Sequence, residues 1–232
     1  MNAVAVEGVW KFYGDFPALR DIRLAAGQGA CLALIGRNGA GKTTLLRTIA
    51  GFSRPGRGKI LIQGGSPRET ETRRRIGFIG HGISVYDELS AMENLTLYAR
   101  LYHLPDPRAR ALEWLARTGL ERVRDGLVRE FSRGMRQRLA VARAFLHEPS
   151  VLLLDEPFTA LDDRAIAVLQ TLLRQALAEG KTIVMSTHQL REALELSSHV
   201  ALLERGKVVF DGPCTPEMAA DPGLVYARYG EA

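Results

Sequence analysis

The spacing of apolar positions changes along this chain, and each change marks a new element. Val4, Val6 and Val9 give way to Trp10-Lys11-Phe12-Tyr13, then to a Gly14-Asp15 turn, and Leu19, Ile22 and Leu24 follow. This pattern predicts extended strands across residues 2–29. Gly27-Gln28-Gly29 turns the chain into Ala30–Ile35, an uninterrupted apolar run of the kind found in strands covered on both faces. Residues 44–50 then show helical spacing and stop at Gly51, a suitable C-cap. Lys59–Ile62 and Ile76–Ile79 are further short strands, the first closed by Gln63-Gly64-Gly65.

Residues 83–149 differ. Met92, Leu95, Leu97, Leu101 and Tyr102 recur with helical spacing, as do Leu112, Leu115, Ala116, Leu120 and Val123. Pro105 and Pro107 separate these two helices, and a third spans roughly Ser132 to Leu146. Beyond it, Val151–Leu154 and Thr182–Met185 are buried strands flanking a helix over residues 161–178. Residues 190–196 are helical, Glu204-Arg205-Gly206 turns a hairpin, and the tail from Pro213 reads as a short end piece. Strands alternating with helices predict an α/β fold with a parallel sheet. The expected organisation is one domain over 1–232. Its core carries an N-terminal antiparallel β-subdomain and an inserted α-helical subdomain at about 83–149.

Composition narrows this little. A hydrophobic share of 46% and a charged share of 25% are those of an ordinary globular protein. The net charge of +5 suits an anionic ligand, a nucleic acid or an anionic membrane surface, and a solvated Arg-rich surface equally. Cys31 and Cys214 form no close-spaced framework. No run reaches the roughly 18 to 20 apolar residues that cross a bilayer, and the N-terminus lacks a signal-peptide pattern. A soluble, cytoplasmic chain is expected, with any membrane role supplied by a partner.

Chemistry concentrates at strand ends. Gly36-Arg37-Asn38-Gly39-Ala40-Gly41-Lys42-Thr43-Thr44 satisfies the phosphate-loop pattern G-x-x-x-x-G-K-[ST]. Its glycines let the backbone turn its N–H groups on one anion, and a helix starting near Lys42 adds its positive end. Lys42 supplies a point charge for phosphates and Thr43 a hydroxyl for Mg²⁺. After the strand Val151–Leu154, Asp155 is placed to hold Mg²⁺ and Glu156 to polarise a water. His188, also after a buried strand, is suited to a γ-phosphate and to the water–Glu pair. Tyr13 offers a ring for stacking on a base, or a core aromatic. Ser132 is a good N-cap, and the helix start it opens is an anion site for a second copy, or simple capping.

Together these pieces resemble the nucleotide-binding subunit of ATP-binding-cassette (ABC) transporters over nearly the whole chain. Gly36–Thr43 matches the Walker A loop and Leu152–Glu156 the Walker B strand. Ser132–Gln137 is similar to the signature motif, Ala160-Leu161-Asp162 to the D-loop, His188 to the switch histidine and Tyr13 to the adenine-stacking aromatic. The resemblance implies ATP and Mg²⁺, with Ser132 and Gly134 facing phosphate across a head-to-tail homodimer or a pair with a related cassette. It also implies a polytopic membrane subunit contacting residues 83–149, a place on the inner face of the cell membrane, and no nucleic-acid partner. Two departures stand out. His81 replaces the family's glutamine, which senses Mg²⁺ and the membrane partner, and the signature reads Phe-Ser-Arg-Gly-Met. His81, residues 82–95, Arg133-Gly134-Met135 and the short tail are similar to the haem-exporter ATPase subunit of cytochrome c maturation. An ATPase driving export is therefore expected. The other classes are a cassette working in assembly or regulation without a membrane partner, and a small-molecule kinase.

Overall fold

Two sheets, packed face to face, carry the chain in a computed structural model that describes residues 2–80, 84–159, 161–221 and 223–229. In the first, β1 (Asn2–Tyr13) is central, flanked antiparallel by β2 (Phe16–Gly27) and β4 (Arg57–Ile62). The second has six strands. β5 (Ile76–Ile79), β6 (Val151–Asp155), β7 (Thr182–Ser186), β3 (Cys31–Ile35) and β8 (His199–Glu204) run parallel in that spatial order. β9 (Lys207–Pro213) closes the edge antiparallel to β8. Every residue of β3, β6 and β7 is buried, as their unbroken apolar runs require.

Alternation along β6 divides the core. Val151 and Leu153 join the cluster between the sheets, with Val4, Ile22, Leu34 and Ile49. Leu152 and Leu154 face the opposite cluster, with Leu95, Trp114, Leu139 and Phe158. The helix α1 (Lys42–Ile49) leaves β3 and buries Leu45, Leu46 and Ile49 between the sheets. The helix α2 (Thr70–Arg74) precedes β5; it was not legible in sequence, because five polar and charged residues have no apolar period.

Between β5 and its neighbour β6 the chain leaves the sheet to form α3 (Ala91–Leu101), α4 (Pro107–Arg117) and α5 (Arg133–Phe145). A Ser90–Glu93 capping box starts α3, and Asp106 with Pro107 starts α4. Asn94, fully buried, binds both the N–H and C=O of Tyr86 and so closes the loop before α3. Ser132 caps α5, whose Arg143 donates to the Phe78 carbonyl at 2.8 Å. At the same seam the His147 ring lies 3.9 Å from the Tyr102 ring and 2° off parallel, with Nε2 3.0 Å from the Ile76 carbonyl.

Beyond β6, α6 (Asp163–Ala178) begins later than its apolar spacing suggests, because Asp162 serves as N-cap and accepts from the Ala165 N–H. The helix α7 (Leu190–Leu194) likewise ends before residue 196. The tail forms α8 (Pro216–Ala220) and α9 (Gly223–Tyr229), which seal one end of β3 and β8.

Burial pushes His147 down to about 4, with Arg143 adding to the fall and the Ile76 carbonyl opposing it. An unfolded histidine titrates near 6.5. Between those values the unfolded chain takes a proton that the folded chain refuses, so stability falls as pH drops through that window. A His147→Phe variant should lose less stability than wild type from pH 7 to pH 4.5, by on the order of 2 kcal/mol. Parallel urea melts at both pH values check the difference in slope.

Candidate functional site

Gly36, Gly39 and Gly41 take positive φ of 150°, 82° and 108°, which bends the segment between β3 and α1 into a closed turn. At Gly36 the Leu203 carbonyl occupies the place of a Cβ, so no side chain fits. The β8–β9 hairpin holds the turn from outside through Gly206 N–H to the Ala40 carbonyl at 3.0 Å. Lys42 starts α1 and is buried. Its Nζ donates to the carbonyls of Gly36 at 2.6 Å and Arg37 at 3.3 Å. Burial lowers its pKa, against the opposing charges of Glu156 and Asp155.

Asp155, at the end of β6, is 1% exposed. Its Oδ1 accepts from Thr43 Oγ1 at 3.0 Å and Ser186 Oγ at 2.6 Å. Its Oδ2 is buried without a hydrogen-bond partner. A bare buried carboxylate oxygen beside a threonine hydroxyl and a phosphate-type turn fits Mg²⁺, which takes one or two protein oxygens and fills its shell with phosphate and water. No cluster of three or more His, Cys, Asp or Glu exists among the described residues.

Glu156 follows with φ 55°, a left-handed conformation that a glutamate rarely adopts. Its N–H donates to the Ser186 carbonyl at 3.0 Å, and its Oε2 accepts from His188 twice. The ring Nδ1 donates at 2.7 Å and the backbone N–H at 3.2 Å. Nδ1 therefore carries a proton, and Nε2 is the ring nitrogen left for another partner.

A cavity of about 680 Å³ runs along the turn, lined by Tyr13, Phe16, Lys42, Thr43, Thr44 and Glu156 among others. Asn38, Gly39, Ala40 and Gly41 also line it. Tyr13, 54% exposed at the β1–β2 turn, stands at its rim with Lys11 Nζ 5.3 Å from the ring centre. A second cavity of about 380 Å³ meets the first at Thr43 and includes Asp155, Arg143, Tyr102, Phe52 and Phe78. It opens toward the helical segment. Ser132 and Gly134 line neither cavity; they sit at the start of α5. That helix is tied to the site through Gln137, whose Nε2 donates to the Pro157 carbonyl at 3.1 Å. His81 and Ala160 lie outside the described residues.

The sequence reading did not single out Ser186, which bonds Asp155, or Phe16, which lines the first cavity. A polar residue ending an apolar strand next to a strand-end aspartate is the signal for Ser186. Phe16 gives no signal, because only the hairpin register sets it opposite Tyr13.

Residues 19–159 match the family model described as ABC transporter. A daunorubicin resistance ATP-binding protein of Streptomyces coeruleorubidus is 38% identical over 96% of this chain and 71% of its own length. A Nod factor export ATP-binding protein of Cupriavidus metallidurans is 35% identical over 89% and 70%. A probable sulfate/thiosulfate import ATP-binding protein of Chlorella vulgaris is 35% identical over 89% of both chains. Among solved structures, a dimeric ATP-binding cassette in a post-hydrolysis state with ADP and Pi matches with a TM-score of 0.85. It is 28% identical over 91% of this chain and 99% of that one.

Ser186→Ala removes the shorter of the two hydrogen bonds on the buried Asp155 oxygen. Hydrogen bonds to charged groups contribute about 1.5–3 kcal/mol, and about 1 kcal/mol moves Tm by 2–4 °C in a domain of this size. The variant should melt at least about 3 °C lower, with Ser186→Thr intermediate. Calorimetry of the three proteins checks it.

Proposed function

The chain belongs to the ABC transporter family of ATP-hydrolysing subunits, and on that premise we propose that it powers an exporter in a membrane. The observation that supports the ATP-hydrolysing part of that reading is the Glu156–His188 pair, 2.7 Å apart beside the closed turn that holds Lys42.

Each residue has a task set by its place. The first N–H groups of α1, which have no intrahelical partner, receive the phosphates of ATP. Lys42 exchanges its loop carbonyls for phosphate oxygens and neutralises their charge. Asp155 Oδ2 and Thr43 Oγ1 would hold Mg²⁺, which when bound supplies positive charge to the β- and γ-phosphates. Glu156 orients the attacking water and takes its proton. His188, fixed by its Nδ1–H on Glu156, directs Nε2 at the γ-phosphate. Tyr13 and Phe16 face the base. Positioning and electrostatics do most of the work in phosphoryl transfer.

A second copy completes the site. Ser132 and Gly134 open a thirteen-residue helix with no acidic residue in its first turn, so its N-terminus favours an anion. They line neither cavity of their own chain, and the solved relative is a dimer. Head-to-tail pairing with an identical or related cassette would bring them to the partner's γ-phosphate. The membrane subunit docks where residues 83–149 meet the core, at the cleft holding Phe52, which is 60% exposed, and Tyr102. Its contacts there reach Thr43 and Asp155 within one cavity. The chain would then work on the inner face of the membrane. Export follows the function in the Nod factor relative's name, against the import named for another. Haem is the finer reading of the cargo, resting on His81 and Arg133-Gly134-Met135, and the relatives' names give other cargoes.

Glu156→Gln should bind MgATP like wild type, lose at least about 100-fold in turnover, and run as a dimer in MgATP by size-exclusion chromatography. Unchanged turnover would remove Glu156 as the base. Purification from membranes in detergent should recover a polytopic partner, and a cassette recovered alone would favour an assembly or regulatory role.

A further inference from the structure

Side-chain alternation gives the start of β2 two faces. Leu19 is fully buried in the cluster between the sheets. Phe16, Ala18 and Arg20 stand on the other face, and all three line the cavity of about 680 Å³ along the closed turn. Each offers something different. Phe16 is a ring at the exposed rim, Ala18 is small enough to let the strand approach the turn, and Arg20 brings a permanent positive charge.

The main chain holds this strand against the turn. The Ala18 carbonyl lies so near Gly41 and Gly206 that a Cβ there would meet it at 3.1 and 2.5 Å. The Arg20 N–H donates to the Gly206 carbonyl at 2.7 Å, and the Gly206 N–H donates to the Ala40 carbonyl at 3.0 Å. Arg20 is thus linked through one peptide to the turn, close to where α1 begins. Phe16 lies four residues back on the same face, about 13 Å away. A nucleotide with its base at Tyr13 and Phe16 would extend along this face and bring its phosphates toward Arg20.

The guanidinium is set for an anion. Arg20 is half-buried, and its Nε donates to the Pro17 carbonyl at 3.4 Å. Both Nη groups are without a partner among the described residues. The nearby carboxylates are bonded elsewhere: Glu156, which lines the same cavity, holds His188, and Asp21 pairs with Arg23 at 3.2 Å. Two unpaired Nη groups on one planar fork match the oxygens of a phosphate.

We propose that Arg20 is a nucleotide-binding residue whose guanidinium grips a phosphate that ADP and ATP share. The proposal rests on the ATP-binding reading above and adds to it a residue outside the phosphate-loop and signature patterns. The γ-phosphate stays with Lys42 and His188, so Arg20 binds ground state and transition state alike. Such a contact lowers KM and leaves kcat unchanged.

Arg20→Gln removes the charge and leaves the main-chain bond to Gly206 in place. Loss of one charge-assisted hydrogen bond to phosphate corresponds to about 10-fold in affinity. The Kd values for fluorescent analogues of ADP and of ATP should both rise by about that factor, and the KM for MgATP with them. The kcat should stay within about twofold. Arg20→Lys should recover part of the loss, because a point charge remains without the fork. Both variants should melt within about 2 °C of wild type. Wild-type Kd values in Arg20→Gln would overturn the proposal. So would weakening for ATP alone, which would put the guanidinium at the γ-phosphate, or a fall in kcat at constant KM, which would put it in the chemical step. Equal losses in both variants together with lowered melting temperatures would make Arg20 structural and also overturn it. Failure of the wild-type protein to bind either nucleotide would instead remove the ATP-binding reading, and this proposal with it.

Discussion

The buried carboxylate of Asp155 is the constraint on which the rest of this molecule depends. A charged group at the end of a fully buried strand is costly unless its oxygens are bonded. One oxygen is bonded twice, to Thr43 of α1 and to Ser186 of β7. Three elements must converge for that, and their convergence places the turn before α1, the Asp155 carboxylate and the β7 end within one small volume. The other oxygen is left bare. The fold thus stabilises one oxygen of the carboxylate by itself and leaves the other buried without a partner, a position that a cation would suit.

Around that point the structure accepts local strain. Glu156 takes a left-handed backbone, and Gly36 sits where no side chain fits. The Glu156 conformation costs on the order of 1–3 kcal/mol and persists only where the surroundings hold it, whereas Gly36 meets its position without a Cβ penalty. Here the hold comes from the Ser186 carbonyl on the Glu156 N–H, while Lys42 and the Leu203 carbonyl confine Gly36. The reward is geometric: the Glu156 carboxylate meets His188 at 2.7 Å instead of following the strand direction of its neighbour Asp155.

The helical segment relates to this centre through a seam of backbone acceptors. Arg143 and His147 both bind carbonyls of β5, at Phe78 and Ile76, and Gln137 binds the Pro157 carbonyl just after Glu156. A displacement of α5 is therefore felt at both strands that bracket the site. The cavity between the helices and the core shares Thr43 and Asp155 with the nucleotide side. A partner seated there and a nucleotide seated in the turn would act on the same two residues.

Sequence alone determined what depends on local spacing. The buried strands were visible as apolar runs, the long helices as helical spacing, and the phosphate turn as glycines around a Lys-Thr pair. Asp155, Glu156 and His188 were visible as candidates because polar residues directly follow unbroken apolar runs, where the chain leaves the sheet. Tertiary structure alone decided what depends on register and on distant pairing. Ser186 acquires its role only because β6 and β7 are adjacent and parallel, with Asp155 opposite Ser186. Phe16 faces the cavity only through the register of the β1–β2 hairpin, and Val225 and Tyr226 join Ile35 in one cluster only because the tail folds back over the end of β3. The short helices α2, α8 and α9 were illegible for a related reason. Five to seven residues hold barely two helical turns, so in these three no apolar period could be read, whereas the equally short α7 showed one through Leu190, Ala193 and Leu194.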